Sequence, residues 1–269
     1  MNAFLYHFIF EFFSGFRNKN LLLLNYLFPL GLFLMMGFIM PSINPPFREV
    51  IIPAMVIFSI LSATFLGIPD PLVNDREKGV FRSYKINGVP KTSILAIPAL
   101  TTTLHLSIVI LVITILAPLL FDAPTPVNWL NYMIVSIAFI AASSGISILI
   151  GVCSASSRMT VLWSQIFFIP SMLLSGMMIP FSFLPEAAGA FARLLPATYA
   201  MNAFNSLAMG GSPDFSPWGS VFILLLSSVL AFSLAALLFS WDRKNTTRLA
   251  HPGFSFAVML PFIIGMIVL

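Results

Sequence analysis

Few side chains in this sequence have the types and spacing needed for catalysis. The three histidines, His7, His105 and His251, lie far apart, and Cys153 is the one cysteine. The sequence contains no HExxH or GxSxG motif, so it suggests neither a zinc hydrolase nor a serine hydrolase. A single cysteine provides neither an internal disulfide nor a cysteine metal site. The GxxxxGK[ST] loop that binds nucleotide phosphates is also absent, so any ATPase that drives this protein must be another polypeptide.

The carboxylates of Asp70, Asp75 and Glu77 form the one acidic cluster in the sequence. Carboxylates grouped in this way can hold a hard metal ion at a membrane surface, as an enzyme acting on lipids would require. Basic residues lie between them, however, and no second acidic motif follows. We therefore predict no metal site, and we keep a membrane-embedded, lipid-modifying enzyme that uses these three residues as the alternative function.

The acidic cluster belongs to a charged block, residues 70–91, which contains eight of the 22 Asp, Glu, Lys and Arg residues of the chain. Pro69 and Pro71 are predicted to stop the apolar run that precedes the block. Asn74 or Asp75 would then cap a short helix, because side-chain oxygens at this position accept hydrogen bonds from free backbone N–H groups. The block therefore predicts a short helix outside the membrane.

The predicted short helix has an apolar side and a basic flank. Val80, Phe81 and Tyr84 recur at helical spacing and are expected to form an exposed aromatic face. Gly88 and Pro90 would end the helix. The basic flank consists of Lys78, Arg82 and Lys85. An alternative interpretation is a basic loop that contacts anionic lipid headgroups.

The composition of the chain is that of a membrane protein. Hydrophobic residues make up 59% of the 269 residues and charged residues 8%, whereas soluble domains carry about 25% charged residues. Crossing a bilayer takes about 20 apolar residues in a helix, and six runs approach or exceed this length. The predicted fold is an all-α integral membrane protein with six transmembrane helices. The predicted spans are residues 21–40, 50–69, 94–120, 129–153, 159–180 and 218–241.

The distribution of Lys and Arg predicts the orientation, since positive residues near spans are retained in the cytoplasm. With the N-terminus inside, eleven of the thirteen positive residues are cytoplasmic, and Arg48 and Arg193 alone lie outside. We therefore predict a multi-pass protein of the cell membrane with a cytoplasmic N-terminus and a cytoplasmic charged block between spans two and three. The cytoplasmic residues are Arg17, Lys19, Arg76, Lys78, Arg82, Lys85, Lys91, Arg158, Arg243, Lys244 and Arg248.

The segments outside the six spans also have recognisable patterns. Residues 1–20 contain His7, Glu11, Ser14 and Asn18 along one side of a Phe-rich helix, which predicts an amphipathic helix at the inner membrane surface. The connection between spans five and six is too apolar for a solvated loop, and its short apolar pieces predict one or two re-entrant helices.

The chain divides into three parts on this basis: the interfacial helix at 1–20, a six-span domain at 21–245, and an extra hydrophobic segment at 246–269. The apolar part of the last segment, residues 253–269, has 17 residues and contains Pro261. A seventh span, a re-entrant hairpin and an interfacial segment all remain open for it, because 17 residues is the lower limit for a span.

The interiors of the predicted spans are almost free of ionisable groups. His105 is the one ionisable side chain well inside a span. Ion-coupled transporters keep carboxylates or basic groups at this depth, so proton-driven secondary transport is not favoured. A histidine that is hydrogen-bonded within the helix bundle is the simpler interpretation.

The motifs together resemble a known family. The stretch NDREKGVFRSYKINGVPK after span two is similar to the R-E-x-G…P pattern of ATP-binding-cassette exporter permeases of the second class, the ABC-2 type. The stretch LSGMMIPFSFLPEAAGAFARLLPATYAMNAF resembles the family motif at the end of span five. Its matching residues are Gly176, Pro180, Pro185, Pro196 and Tyr199. The resemblance covers about residues 1–245, and most relatives lack the extra C-terminal segment.

The resemblance implies a transporter permease rather than an enzyme, which forms a homo- or heterodimer and binds separate ABC ATPase subunits. ATP and Mg²⁺ would be bound by that partner, with no cofactor on this chain and no nucleic acid involved. The short cytoplasmic helix would dock on the ATPase, Glu77 would connect it to the N-terminal helix and span two, and spans two and five would line the substrate path. The docking residues would be Asp75, Arg76, Glu77, Lys78, Gly79, Val80, Phe81, Arg82, Tyr84 and Lys85.

The sequence does not identify the substrate or its binding residues. Drugs, peptide antibiotics, lipids and lipid-linked glycans all agree with the 28 Phe and 14 Met residues, because such apolar surfaces can adapt to varied ligands. A membrane scaffold without transport activity is a further alternative, alongside the lipid-modifying enzyme. Membrane lipids are expected contacts in every case.

Overall fold

The structure, a computed structural model, describes residues 3–242 and 251–269. Within these two ranges the chain is helical and contains no strand. The helices are α1 Ala3–Arg17, α2 Lys19–Ile43, α3 Phe47–Glu77, α4 Val80–Ile86, α5 Lys91–Phe121, α6 Trp129–Cys153, α7 Ser157–Leu174, α8 Glu186–Ala192, α9 Pro196–Ala203, α10 Pro217–Leu238 and α11 Leu260–Val268. The all-α prediction is therefore confirmed for the described residues.

Five helices among the described residues are long and apolar enough to cross a membrane: α2, α3, α5, α6 and α10. They match five of the six predicted spans. The predicted fifth span corresponds to α7, which has 18 residues and is about 27 Å long. It carries Arg158 and Gln165, which lower its hydropathy. A crossing by α7 therefore stays a prediction.

Two of the long helices contain a wide turn of π geometry. In α2 this turn is Leu23–Leu27, and in α3 it is Ser62–Leu66. The two turns meet, since the Ser62 hydroxyl donates a hydrogen bond of 2.9 Å to the carbonyl of Leu24. Wide turns of this kind displace side chains from the regular helical register and are frequent at functional sites.

The prediction that Pro69 and Pro71 stop the second span is wrong. The chain bends at residues 67 and 68, and Pro69 is the first residue of the next helical segment, Pro69–Glu77. Proline is tolerated in a first helical turn because the N–H group it lacks has no partner there. As a result α3 continues through both prolines to Glu77.

Helix α3 lies at the centre of the molecule, and almost all of its apolar part is buried within the chain. Helices α6 and α10 pack extensively against each other. Gly145 of α6 allows this approach, because a Cβ atom at Gly145 would lie 3.0 Å from the Cβ atom of Ala231 and 3.2 Å from the Phe232 ring. The small residues of α6 therefore serve packing within one subunit.

The C-terminal segment runs along α10 in the opposite direction. It begins as a 3₁₀ helix, Pro252–Met259, and continues as α11. Phe256 contacts the ring of Trp163 near the start of α7, and Leu269 reaches Gly219 at the start of α10. Because 3₁₀ residues rise about 2.0 Å and α residues about 1.5 Å, the segment is about 30 Å long.

Part of the predicted cytoplasmic charge lies outside the described residues. This applies to Arg243, Lys244 and Arg248, and to the predicted boundary between residues 245 and 246.

Candidate functional site

The predicted docking helix is divided between two helices. Asp75, Arg76 and Glu77 end α3, and α4 begins only at Val80. Gly79 separates them with a φ of 79°, in the left-handed region that glycine adopts without strain. The prediction that Asn74 or Asp75 starts the short helix is therefore wrong, because α3 had not ended at the prolines.

The predicted exposed aromatic face of α4 is also wrong. Phe81 is buried and packs on Phe239, which follows α10, with ring centroids 5.5 Å apart. Tyr84 is half-buried against His7 of α1, at 5.0 Å. The most exposed apolar side chain of α4 is instead Ile86, with 78% of its surface accessible.

The accessible part of α4 is therefore its basic side and its end. Arg82 and Lys85 are both exposed, and the exposed Ile86 follows Lys85. Lys78 is exposed just before Gly79, and Val80 is half-buried. We call Arg82, Lys85 and Ile86 the α4 tip. It combines one apolar side chain with two positive charges, which is a composition suited to a protein surface of negative charge.

Arg76 is buried, although its position among charged residues in the sequence suggests an exposed side chain. Its side chain is 3% exposed and points to the C-terminal end of α6. The guanidinium donates hydrogen bonds to the carbonyls of Gly151 at 3.4 Å, Val152 at 3.1 Å and Ser154. A positive charge is favourable at a helix C-terminus, where carbonyls lack helical partners. Arg76 therefore fastens the end of α3 to the end of α6.

The acidic residues next to α4 are not equivalent. Asp75 and Glu11 of α1 are close enough for their carboxylates to repel each other. Burial, with the carboxylates of Glu11 and Asp75, raises the pKa of the Tyr84 hydroxyl. Glu77, the residue that the resemblance places at this joint, is half-buried at the last position of α3. Asp75 interacts electrostatically with Glu11 and Tyr84, at the contact between α1 and α4.

The polar side of α1 faces the protein. His7 contacts Tyr84 and lies 3.7 Å from a carboxylate oxygen of Glu11, while the exposed side of α1 is rich in Phe. The expected alignment of Asn18 with this side is wrong. Asn18 lies after α1 and caps α2, where its side-chain oxygen accepts hydrogen bonds from the N–H groups of Asn20 and Leu21.

His105 joins α1 to the spans. Its Nδ1 atom is 2.6 Å from the Tyr26 hydroxyl, and its ring stacks on Phe12 at 4.8 Å. Gly15 allows this contact, since a Cβ atom there would lie 2.3 Å from Nε2 of His105. The hydrogen bond and stacking agree with the simpler interpretation of His105, a histidine packed within the bundle.

The motif at the end of span five is divided between a cavity and a buried helix. Gly176, with a φ of 93°, and Pro180 line a cavity of about 200 Å³. Pro185 precedes α8, and Pro196 is the first residue of α9. Tyr199 is fully buried, and its hydroxyl donates a hydrogen bond of 3.2 Å to the carbonyl of Phe262 in α11.

Asn202 is a structural residue that the sequence prediction missed. It is buried in α9, and its Nδ2 group donates to the carbonyl of Phe215 at 2.9 Å. Its Oδ1 atom accepts from the N–H of Asp214, also at 2.9 Å. These bonds hold the connection that leads to α10. An asparagine in an apolar helical stretch was the available signal.

The carboxylates of Asp70, Asp75 and Glu77 do not form one group of metal ligands. Asp70 accepts a hydrogen bond of 2.8 Å from the side chain of Asn74. In the part of the chain that the structure describes, no three His, Cys, Asp or Glu side chains are grouped to hold a metal ion. The arrangement around α4 is one of contact between helices, with an exposed tip.

The described residues form a bundle of apolar helices with an exposed contact surface at α4. The profile of the ABC-2 type transporter family matches residues 3–209. The chain belongs to the ABC-2 type transporter family. Its membership indicates a multi-pass membrane permease that transports a substrate and is not itself an enzyme.

The family match ends at residue 209, in the connection between α7 and α10, so α10 and the C-terminal segment lie beyond the matched region. Comparison with curated proteins and with solved structures gave no match. The docking residues and the residues of the motif at the end of span five therefore stay predictions for this permease.

Proposed function

We propose that the protein is the transmembrane subunit of an ATP-driven exporter and that the α4 tip docks on a separate ABC ATPase. The observation that carries this proposal is the exposure of Ile86 between the basic side of α4 and the loop that follows. An isolated apolar side chain of this kind can enter a pocket on a partner, and the charges of Arg82 and Lys85 favour an acidic rim.

The topology follows from the same proposal. The α4 tip must be cytoplasmic to meet an ATPase, which places the N-terminus inside and the start of α10 outside. The C-terminal segment, at about 30 Å, is then a seventh crossing that ends outside. The 3₁₀ part of the segment supports this crossing, because it lengthens the 17 residues to about the thickness of a bilayer core. An α-helix of 17 residues would be shorter than that core.

The permease acts as a dimer in this proposal, and the partner copy is either the same chain or a related one. Of the two spans expected to line the substrate path, α3 is enclosed within its own subunit. Helix α7 exposes Val161, Leu162 and Ile166, which supports a path beside α7. A hydrophobic or amphipathic substrate suits this surface, and drugs, antibiotics, lipids and lipid-linked glycans fall in this class.

The test is co-expression of the permease with the ABC ATPase that we expect to be encoded beside it. Replacing Ile86 with Ser should weaken co-purification of the ATPase at least about tenfold, since it removes a buried apolar contact. The matched control is Ile43→Ser. Ile43 is the last residue of α2 and is 72% exposed, and its replacement should leave the complex intact. Undiminished binding of the ATPase to the folded Ile86→Ser variant would contradict the docking proposal.

A further inference from the structure

A small cavity lies where α1 meets the membrane helices. It has a volume of about 70 Å³ and is enclosed by α1, α2, α3 and α5. A water molecule takes up about 30 Å³ in the liquid, so the cavity can hold about two waters or one metal ion with a water. Its polar lining includes the side chains of Glu11, Asn25, Asp75, Thr101 and Thr102.

Asn25 and His105 are both deeply buried polar residues of this wall, 4% and 2% exposed. Asn25 lies in the π turn of α2. Its Oδ1 atom has no hydrogen-bond partner among residues 3–242 and 251–269. A Cβ atom at Gly67, which also lines the cavity, would lie 3.5 Å from this oxygen. Burying an amide oxygen without a partner is costly, so a ligand that interacts with it would be stabilising.

The bend of α3 supplies a second oxygen. In a regular helix the carbonyl of Gly67 would accept a hydrogen bond from the N–H group of residue 71. Residue 71 is proline, which has no N–H group. The residues that line the cavity thus carry an amide oxygen, a carbonyl that lacks its regular helical donor, and two threonine hydroxyls, of which that of Thr101 donates to the carbonyls of Ile97 and Pro98. Oxygen atoms of these types are the ligands of hard cations.

Two carboxylates that lie close together line the cavity. Those of Glu11 and Asp75 repel each other, and the ammonium group of Lys78 stabilises the charged form of Asp75. A cation between the two carboxylates would reduce their repulsion.

We propose that this cavity binds one monovalent metal cation, held by Asn25 and Gly67 on one side and by Glu11 and Asp75 on the other. The cation would reduce the repulsion between the two carboxylates and fasten α1 to the bend of α3. Size also favours a monovalent ion, since a divalent ion would need more carboxylates or a larger water shell than this cavity offers. The site would exist whether or not α4 docks on an ATPase.

The experiment measures thermal unfolding of the purified full chain in lipid nanodiscs, with NaCl or KCl replaced stepwise by choline chloride at constant ionic strength. Binding to the folded state alone raises the midpoint, by about 2–4 °C for a moderately occupied site. Wild-type protein should show this rise with the metal cation and not with choline. Retention of radiolabelled Na⁺ should be at least about tenfold weaker in Asn25→Leu, which keeps the volume and removes the oxygen.

Asn20→Leu is the matched control, because Asn20 is exposed on the same helix and should keep the full cation response. Glu11→Gln tests the site from α1 and avoids any change within a span, so it remains informative if Asn25→Leu does not fold. An equal response to Na⁺, K⁺ and choline in wild-type protein would mean that only water occupies the cavity and would overturn the proposal. A cation response that survives in both Asn25→Leu and Glu11→Gln would overturn it as well.

Discussion

The contact between Arg76 and the end of α6 should contribute strongly to the stability of the protein. Replacing Arg76 with Ala removes a buried guanidinium that donates to the carbonyls of Val152 and Ser154, with Gly151 at a longer distance. Because Arg76 is 3% exposed, water replaces these bonds poorly. The ends of α3 and α6 should therefore separate more easily in the variant.

The size of the effect follows from the number of hydrogen bonds. A hydrogen bond to a charged group contributes about 1.5–3 kcal/mol, and Arg76 makes two at short distance. Access of some water to the variant reduces the loss, which we expect to be about 3 kcal/mol. For a chain of this size such a loss lowers the unfolding midpoint by about 6–12 °C.

The assay is thermal unfolding followed by tryptophan fluorescence, since the chain contains four tryptophans. Arg76→Lys should give an intermediate midpoint, because an ammonium group cannot bridge separate carbonyls as a planar guanidinium does. Arg82→Ala is the control, as Arg82 is exposed on α4 and should change little. A midpoint for Arg76→Ala within about 2 °C of wild type would refute the reasoning.

Three further predictions concern the ends of the chain and α4. Tyr199→Phe removes the hydrogen bond to α11 and should lower the unfolding free energy by about 1 kcal/mol. Gly265→Ala should lower it more, because the new Cβ atom would lie 2.5 Å from the Tyr199 hydroxyl. The unfolding midpoints of the two variants test both predictions. A cysteine placed at Leu269 in a Cys153→Ala background should react with an impermeant maleimide on intact cells, and protection until lysis would contradict an outer C-terminus. Folding raises the pKa of Tyr84, so the folded chain holds this proton more tightly than the unfolded chain, and stability should fall as pH rises above about 10. Tyr84→Phe should reduce this fall.

The long helices were predictable because a hydrocarbon core demands runs of apolar residues, and such runs are visible in any sequence that meets the demand. The predicted span 129–153 coincides with α6, Trp129–Cys153. The boundary at Pro69 was not predictable from local rules. Proline stops a helix in its interior and starts one in its first turn, and the choice here depended on the bend at residues 67 and 68.

The role of each side chain around α4 was harder to predict than the helix itself. Phe81 and Arg76 both lie next to exposed basic residues in the sequence, yet both are buried by elements distant in the chain. Phe81 packs on Phe239, which follows α10, and Arg76 binds the end of α6. Local spacing assigns residues to a helix face, but only the packing decides whether a face meets solvent.

The C-terminal segment shows why counting residues was insufficient. Its 17 residues were at the limit for a span on the assumption of an α-helix throughout. The 3₁₀ conformation of Pro252–Met259 lengthens the segment, and Gly265 allows it to approach Tyr199 closely. A 3₁₀ run of this length is uncommon and is not signalled by any motif.

These contacts bear on how a docked α4 would move the permease. Helix α4 is joined to α1 through Tyr84 and His7, and to the end of α10 through Phe81. The neighbouring end of α3 is in turn fixed to α6 by Arg76. Closure of an ATPase beneath the α4 tip would therefore act on four helices together and not on α3 alone. A motion that carries these helices as one body changes the space between two subunits more than the packing within one, so the proposed transport path requires the dimer.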